Sequence, residues 1–457
     1  MKKRKLVLIV SVLLALNLVI GGHLYSKTDK EDYKDFELFT TSIKLIKKHY
    51  VEEEKVTTTK LVYGALKGMM MELDPYSQFM DPDTYSEMQI DTSGEFGGLG
   101  VEITKKEGFI TVITPIEGTP AARVGLMPGD RIVKVNGELL RSPELNDVVK
   151  VLRGEAGTSV KITVVRGIKI KEFEITRDII KVPSVVDAKI LEGNIGYVRL
   201  VQFQETSARD LRAKIKEIED QGMESLILDL RNNPGGLLKS AFEISELFIP
   251  AGKTIVTTKG RSIYQTMKYV SQARTEHKEY PLVVLINKGS ASASEIVAGA
   301  IKDLKRGFLV GEKSYGKGSV QTILPVHGHE DVALRLTTAK YYTPSGISIH
   351  DKGIEPHFKV ILTLEEEEKR LMAKYQDMED NLNGNGKDKP EGDGTPGDGA
   401  KSIEDDADVL SLTMDGEAPT EPKYDRQLQK AVEVLQTYAL LMEQMKETEL
   451  VTSGSNE

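Results

Sequence analysis

The sequence predicts an α/β protein with a β-rich module set into it and helical segments at both ends. Three observations carry that expectation. From about Val182 to Val360, apolar strand-like runs ("IGYVRL", "SLILDLR", "PLVVLIN") alternate with helical patterns from about Ala208 to Gln221 and Leu237 to Phe248, the alternation of a layered α/β domain. From about Glu95 to Arg177 the runs are short and broken by Gly, Pro-Gly-Asp and Asn-Gly turns, as in an all-β module. Residues 35–90 and 423–447 carry apolar residues at helical spacing.

The chain has 457 residues, 39% of them hydrophobic, enough for two or three domains with real cores. Its net charge is -9 and no basic stripe follows the N-terminus, so nucleic acid is not an expected partner. Cysteine is absent, which excludes disulfides, thiolate metal sites and a cysteine nucleophile.

Residues 1–26 open with the basic cluster Lys2–Lys5 and an apolar run from Leu6 to Ile20. This is the pattern of an export signal. Residues 1–26 are a signal peptide or a signal anchor; Gly21, Gly22 and His23 make a poor cleavage site, which favours an uncleaved transmembrane anchor, with the rest of the chain expected in the periplasm or cell envelope. Next, "FELFTTSIKLIKKHYV" puts Phe36, Phe39, Ile43, Ile46 and Tyr50 on one helical face. Such a face serves either dimer contacts or packing on its own domain.

Residues 91–178 begin with a hairpin whose turn lies near Lys105–Gly108. A helix follows "RSP", with Ser142 as the expected N-cap, Pro143 at the first helical position, and Leu145, Val148, Val149 and Leu152 as its stripe. The "GLGV" turn at Gly98, Leu99, Gly100 and Val101, the "AARVGLMPGDRIVKVNG" segment and that helix resemble a PDZ domain. The resemblance implies capture of a free C-terminus as an added strand, its carboxylate on the glycine-turn N–H groups. Leu99, Val101, Val148 and Leu152 would line the pocket for an apolar last residue. Arg153, at the helix end, is either a solvated charge or a link to the rest of the protein.

Residues 179–363 form the α/β core. Three of its segments could converge. "LILDLRNNPGGLL" runs a buried strand into Gly235-Gly236, where N–H groups are free to face an oxyanion. "NKGSASASEIVAGAIKD" places three serines where a helix starts, at about Glu295, with the Ala293 N–H beside Ser292. "GEKSYGKGSVQ" sets Lys317 between two glycines, followed by Gln321. A serine nucleophile needs a base, usually histidine, but the histidines lie in unpromising contexts. "HGHED" reads as a hairpin loop rather than a metal site. A lysine can serve if burial keeps it neutral. By residue chemistry alone two readings stay open, a Ser–Lys site or capping serines beside a loop lysine. Residues 364–380 read as a charged helix and 381–422 as an acidic disordered stretch. The helix 423–447 has Leu428, Ala431, Val432 and Leu435 on one face.

Together "DLRNNPGG", "GSASASEIVAGA", "GEKSYGKGSVQ" and "LRLTTAKYYTPSGISIHDKGIEP" resemble the carboxyl-terminal processing (tail-specific) proteases, from about residue 35 to 362 plus the last helix. That family implies a crotonase-like protease core with an inserted PDZ domain. It implies Ser292 as nucleophile, Lys317 as base followed by Gln321, and oxyanion donors from Ala293 and Gly235 or Gly236, with no metal or cofactor. Glu295 and Asp303 would support the site. Expected partners are proteins or peptides with free, apolar C-termini, a second copy of the chain, and a regulatory adaptor. The alternatives are a silent C-terminus-binding scaffold and a ligand-binding protein on the same fold. The acidic stretch and the loop "VHGHEDVAL" depart from the family pattern.

Overall fold

A parallel strand covered on both faces must be apolar at every position, and "SLILD" and "LVVLI" meet that demand. Both strands, Ser225–Asp229 and Leu282–Ile286, are buried throughout. They lie side by side at the centre of a six-stranded sheet. Its order is Val185–Leu191, Ile195–Leu200, Ser225–Asp229, Leu282–Ile286, Phe308–Gly311 and Phe358–Lys359. All neighbours are parallel except the first pair.

The computed structural model describes residues 34–273, 279–367 and 425–453. These divide into two units. The larger runs through Ser86–Val320 and onward from Thr338; the smaller holds the described residues up to Tyr85 with Gln321–Thr337.

In the larger unit, alternate strand residues feed two cores. Leu226, Leu228, Val284 and Ile286 pack against helices Ser207–Asp220, Leu238–Glu246 and Ala293–Asp303. Ile227, Val283 and Leu285 face the C-terminal helix Arg426–Ser453 through Leu428, Ala431, Val434 and Leu435. Val434, rather than the expected Val432, completes that buried stripe.

A buried ion cluster fastens this last helix. Arg231 donates from Nε and Nη2 to the Asp229 carboxylate at 2.6–3.0 Å and from Nη1 to Asp425 at 2.8 Å. The Tyr197 hydroxyl donates to Asp229 at 2.7 Å. Asp425 also caps its helix by accepting from Leu428 N. Burial raises the Asp229 carboxyl, but Arg231 outweighs it and holds the group down at about 2.

The β-rich module follows the expected hairpins. Strands Val101–Lys106 and Phe109–Pro115 turn at Glu107-Gly108, both at positive φ. The sheet runs on through Arg131–Val135, Ser159–Arg166 and Lys169–Thr176, leaving Val101–Lys106 as an open edge. The helix departs from expectation. It spans Leu145–Leu152 with Glu144 at its N-cap. Ser142 adopts φ 46°, a turn conformation that cannot open a helix, so the helix begins later. Arg177 closes the other end, donating to the carbonyls of Val151 and Leu152.

In the smaller unit, helices 34–49 and Thr58–Met71 precede the strand Gln78–Met80, so residues 35–90 are not helical throughout. Phe79, Met70 and Val332 form its core. Of the expected helix 364–380, only 364–367 are described, as helix. The export segment and the acidic stretch 381–422 lie outside the described residues. Among the described residues no helix is long and apolar enough to cross a membrane, so the transmembrane expectation has no support there.

Removing Arg231 would strand two buried carboxylates. Arg231→Met is expected to cost about 3–5 kcal/mol in urea unfolding. Because the folded Asp229 carboxyl titrates near 2, below its unfolded range, its stabilisation is whole above pH ~4 and lost as pH falls through about 2. The wild-type urea midpoint should therefore decline over that interval, and by less in Asp229→Asn.

Candidate active site

In open parallel sheets, sites form beyond the carboxyl ends of the strands. The loops after Ser225–Asp229 and Leu282–Ile286 leave neighbouring strands at that end, and asparagines zip them together. Asn287 Oδ1 accepts from Asn232 N, and Asn287 Nδ2 donates to Asn232 Oδ1, each at 2.8 Å. Asn233 Nδ2 donates to Leu200 O at 2.8 Å.

The alternating serines divide their work. The Ser290 hydroxyl donates to Leu230 O at 2.8 Å and the Ser294 hydroxyl to Asn233 O at 2.9 Å. Both are fully buried and tie the helix start to the neighbouring loop. Ser292 differs. Its backbone stands at φ 54°, ψ -110°, a strained position for a residue with a Cβ. The helix starts at Ala293, earlier than expected, so the Ala293 N–H lies in the helix's first turn, where backbone donors lack helical acceptors.

Gly235 packs against this corner. A Cβ there would fall 2.9 Å from both Ala293 N and Ser292 Cβ, and its φ is +103°. The Gly235 N–H donates to Asn233 Oδ1 at 2.9 Å, so of the two expected glycine donors this one is already engaged.

Glu295 organises the site. It is fully buried, and one of its oxygens, Oε2, accepts from both Ser292 N (2.9 Å) and Lys317 N (2.8 Å). Oε1 accepts from Gly316 N (2.7 Å) and the Ser314 hydroxyl (2.5 Å). Burial raises the carboxyl above the usual range, while these four donors work the other way. The glycines around Lys317 have a steric cause: a Cβ on Gly318 would lie 2.1 Å from His350 N, and Gly316 sits at φ +95°. Lys317 is half-buried. Gln321 belongs to the smaller unit, where its amide donates to Thr337 Oγ1 at 3.2 Å and Thr337 in turn to Asp74.

Asp303 does not support this site. It accepts from Ser345 N at the far end of the helix, about 15 Å along the axis from Ser292. Sequence reasoning missed Asn232 and Asn287. No spacing rule marks an asparagine that bridges loops.

At the β-rich module, a groove of about 210 Å³ is lined by Leu99, Gly100, Val101, Val149, Leu152 and Arg153, among others. Gly98 and Val148 are not among its lining residues; Val148 is buried in the module's own core. The Leu99 and Gly100 carbonyls are engaged by Ala121 N and Ile116 N. Arg153 is not a free charge: its guanidinium lies 4.6 Å from the centre of the Phe96 ring.

Residues 194–360 match the model of peptidase family S41, 111–166 a PDZ domain, and 22–84 the activating protease CtpB N-terminal domain. The chain is 39% identical over 440 residues to the carboxy-terminal-processing protease of Bartonella bacilliformis, covering 94% of this chain and 96% of that one. The chain belongs to the carboxy-terminal processing proteases. It is 38% identical to carboxy-terminal processing protease CtpA of Bacillus subtilis, covering 76% and 74% of the two chains. Among solved structures, the photosystem II D1 C-terminal processing protease is 28% identical over 71% of this chain and 92% of that chain, with a TM-score of 0.41. Membership makes the protein a serine-type peptidase with a PDZ domain acting on peptide or protein substrates.

In this processing protease, Glu295→Gln turns one acceptor oxygen into a donor. Either amide orientation then faces two donors at short range, each costing about 1–3 kcal/mol if left unpaired. The variant should melt lower by calorimetry and lose at least about tenfold in kcat, with peptide affinity at the PDZ groove unchanged.

Proposed function

We propose that this protease is an exported endopeptidase that takes substrates by their free C-termini and cleaves them with Ser292 and Lys317. The observation that carries the reading is the single Glu295 oxygen holding the main chains of both residues. It fixes nucleophile and base to one point, as proton transfer between them requires. In this reading neutral Lys317 Nζ accepts the Ser292 proton while Oγ bonds to the scissile carbonyl carbon. The carbonyl electrons move onto oxygen, facing the Ala293 N–H and the Asn-Pro-Gly-Gly loop. The Gly236 N–H is the better second donor, since that of Gly235 is engaged. The lysine proton then passes to the leaving amine, and water hydrolyses the acyl-enzyme. Gln321, four residues after Lys317, enters by family resemblance alone.

Export is supported by Lys2–Lys5 and the apolar run behind them. The open edge at Val101–Lys106, facing the groove, supports strand addition of a C-terminus. Exposed Phe36, Leu38, Phe39 and Leu45 support a contact with a second copy of the chain.

Ser292→Ala should abolish cleavage of an unstructured peptide with an apolar C-terminus, leaving the melting temperature within a few degrees of wild type. Lys317→Arg should be equally inactive, because arginine keeps its proton. Near-normal turnover by Lys317→Arg would remove lysine as the base; His350→Ala serves as the neighbouring control.

C-terminal recognition is tested separately. Amidating the peptide removes a charge-assisted hydrogen bond worth about 1.5–3 kcal/mol. Binding to the Ser292→Ala protein, followed by calorimetry, should weaken at least about tenfold. Equal affinity for acid and amide would end the claim.

A further inference from the structure

Phe203 grips the loop that carries the proposed oxyanion donor. Its main-chain N–H donates to Gly235 O at 2.9 Å, and its carbonyl accepts from Leu237 N at 2.8 Å. The two bonds straddle Gly236 as a parallel bridge. In such a bridge the straddled residue turns its own N–H and C=O away from the partner chain. The Gly236 N–H is thus turned off Phe203, and no acceptor for it lies among the described residues. The grip is close: a Cβ on Gly236 would fall 2.2 Å from Phe203 O. Wherever the Phe203 main chain sits, Gly236 follows.

Gln204 stands behind that grip and is 1% exposed. Its N–H donates to Ser207 Oγ at 2.8 Å, and Ser207 Oγ is hydrogen-bonded to Ser184 Oγ at 2.8 Å. Its side chain ends against Gly94, the residue before the strand Glu95–Gly98: a Cβ built on Gly94 would meet Gln204 Oε1 at 2.4 Å. Bonds on either side hold the same two segments together, from Glu205 N to Thr92 O at 3.0 Å and from Gln202 Nε2 to Asp91 O at 3.3 Å. Yet Gln204 Oε1 is buried with no donor among the described residues. An unpaired buried oxygen weakens a fold, so hydrogen bonding by this oxygen does not account for the residue. Its length does: the side chain reaches from the Phe203 segment to Gly94 and stops there.

We propose that Gln204 is a positioning residue for the oxyanion donor. Braced on Gly94, it holds Phe203 against the Asn-Pro-Gly-Gly loop and so sets where the Gly236 N–H points. As the Ser292 Oγ–carbon bond forms and the carbonyl electrons move onto oxygen, negative charge gathers at one place. A donor aimed there in advance stabilises it; one that must first be brought into line does so less. Gln204 acts only through Phe203 and Gly236, and no proton passes through it. This role presupposes Ser292 as the nucleophile and Gly236 as an oxyanion donor.

The test uses the full chain, the peptide assay and a peptide boronic acid. Boron takes an electron pair from the nucleophilic serine oxygen and becomes tetrahedral, with one of its own oxygens in the place of the oxyanion. Gln204→Ala removes the brace; Gln204→Met keeps its length without the amide. In Gln204→Ala, kcat and boronate affinity should both fall by about tenfold, with KM within about twofold of wild type. Gln204→Met should stay within about threefold of wild type in both. A merely structural role predicts lower melting temperatures with kcat and boronate affinity kept; that result, or an equal loss in both variants, would overturn the proposal. Should Gln204→Ala not fold, Gly94→Ala displaces the same side chain from its other end and should show the same paired loss. Wild-type kcat and boronate affinity there would overturn the proposal equally. The Ser292→Ala protein separates the two claims: a tetrahedral boron-11 signal on it at wild-type affinity removes Ser292 as the nucleophile, whatever the Gln204 variants do.

Discussion

Everything around the proposed catalytic pair hangs on one buried carboxylate. Glu295 accepts from three main-chain N–H groups and one hydroxyl, drawn from the helix start and from the Ser314–Lys317 loop. Burying a carboxylate is costly unless donors surround it, and here the donors include the main chains of the proposed nucleophile and base. The arrangement is therefore reciprocal. The loops satisfy the charge, and the charge leaves the loops one geometry to adopt.

The second constraint is closeness. Gly235 and Gly318 stand where a Cβ would run into main-chain atoms, and the helix after Ser292 is buried through Ile301. Small residues at Ala293, Ser294, Ala298, Gly299 and Ala300 let neighbours approach it. The small residues first read as helix capping are thus packing residues too, and Ser292 holds its strained backbone because its surroundings are too tightly fixed to let it relax.

Much of this was legible in advance. Continuous apolar runs gave the central strands, and the Asn-Gly, Glu-Gly and Pro-Gly-Asp turns gave the β-rich module. Ser292, Ala293, Gly235 and Lys317 lay in glycine- and serine-rich segments whose chemistry left two readings open, and only the family resemblance chose between them. What stayed hidden was set by tertiary partners. Val148 and Val149 are one residue apart on a helix, and only packing decides which faces the core and which the groove. Ser142 looked like an N-cap until the turn before it forced a positive φ. Asp303 shares a helix with Glu295 but sits at its other end.

The bond between Arg231 and Asp425 joins residues 194 positions apart. Arg231 leads into the Asn-Pro-Gly-Gly loop, so the loop's foundation is finished only when Asp425 arrives. A chain emerging from N- to C-terminus carries Ser292 and Lys317 long before it carries Asp425. Until then one face of the central sheet is bare and a guanidinium lacks its second counter-charge. Chain order thus sets an order of assembly: the Arg231–Asp229 pair can close early, and the Arg231–Asp425 pair only after some two hundred further residues.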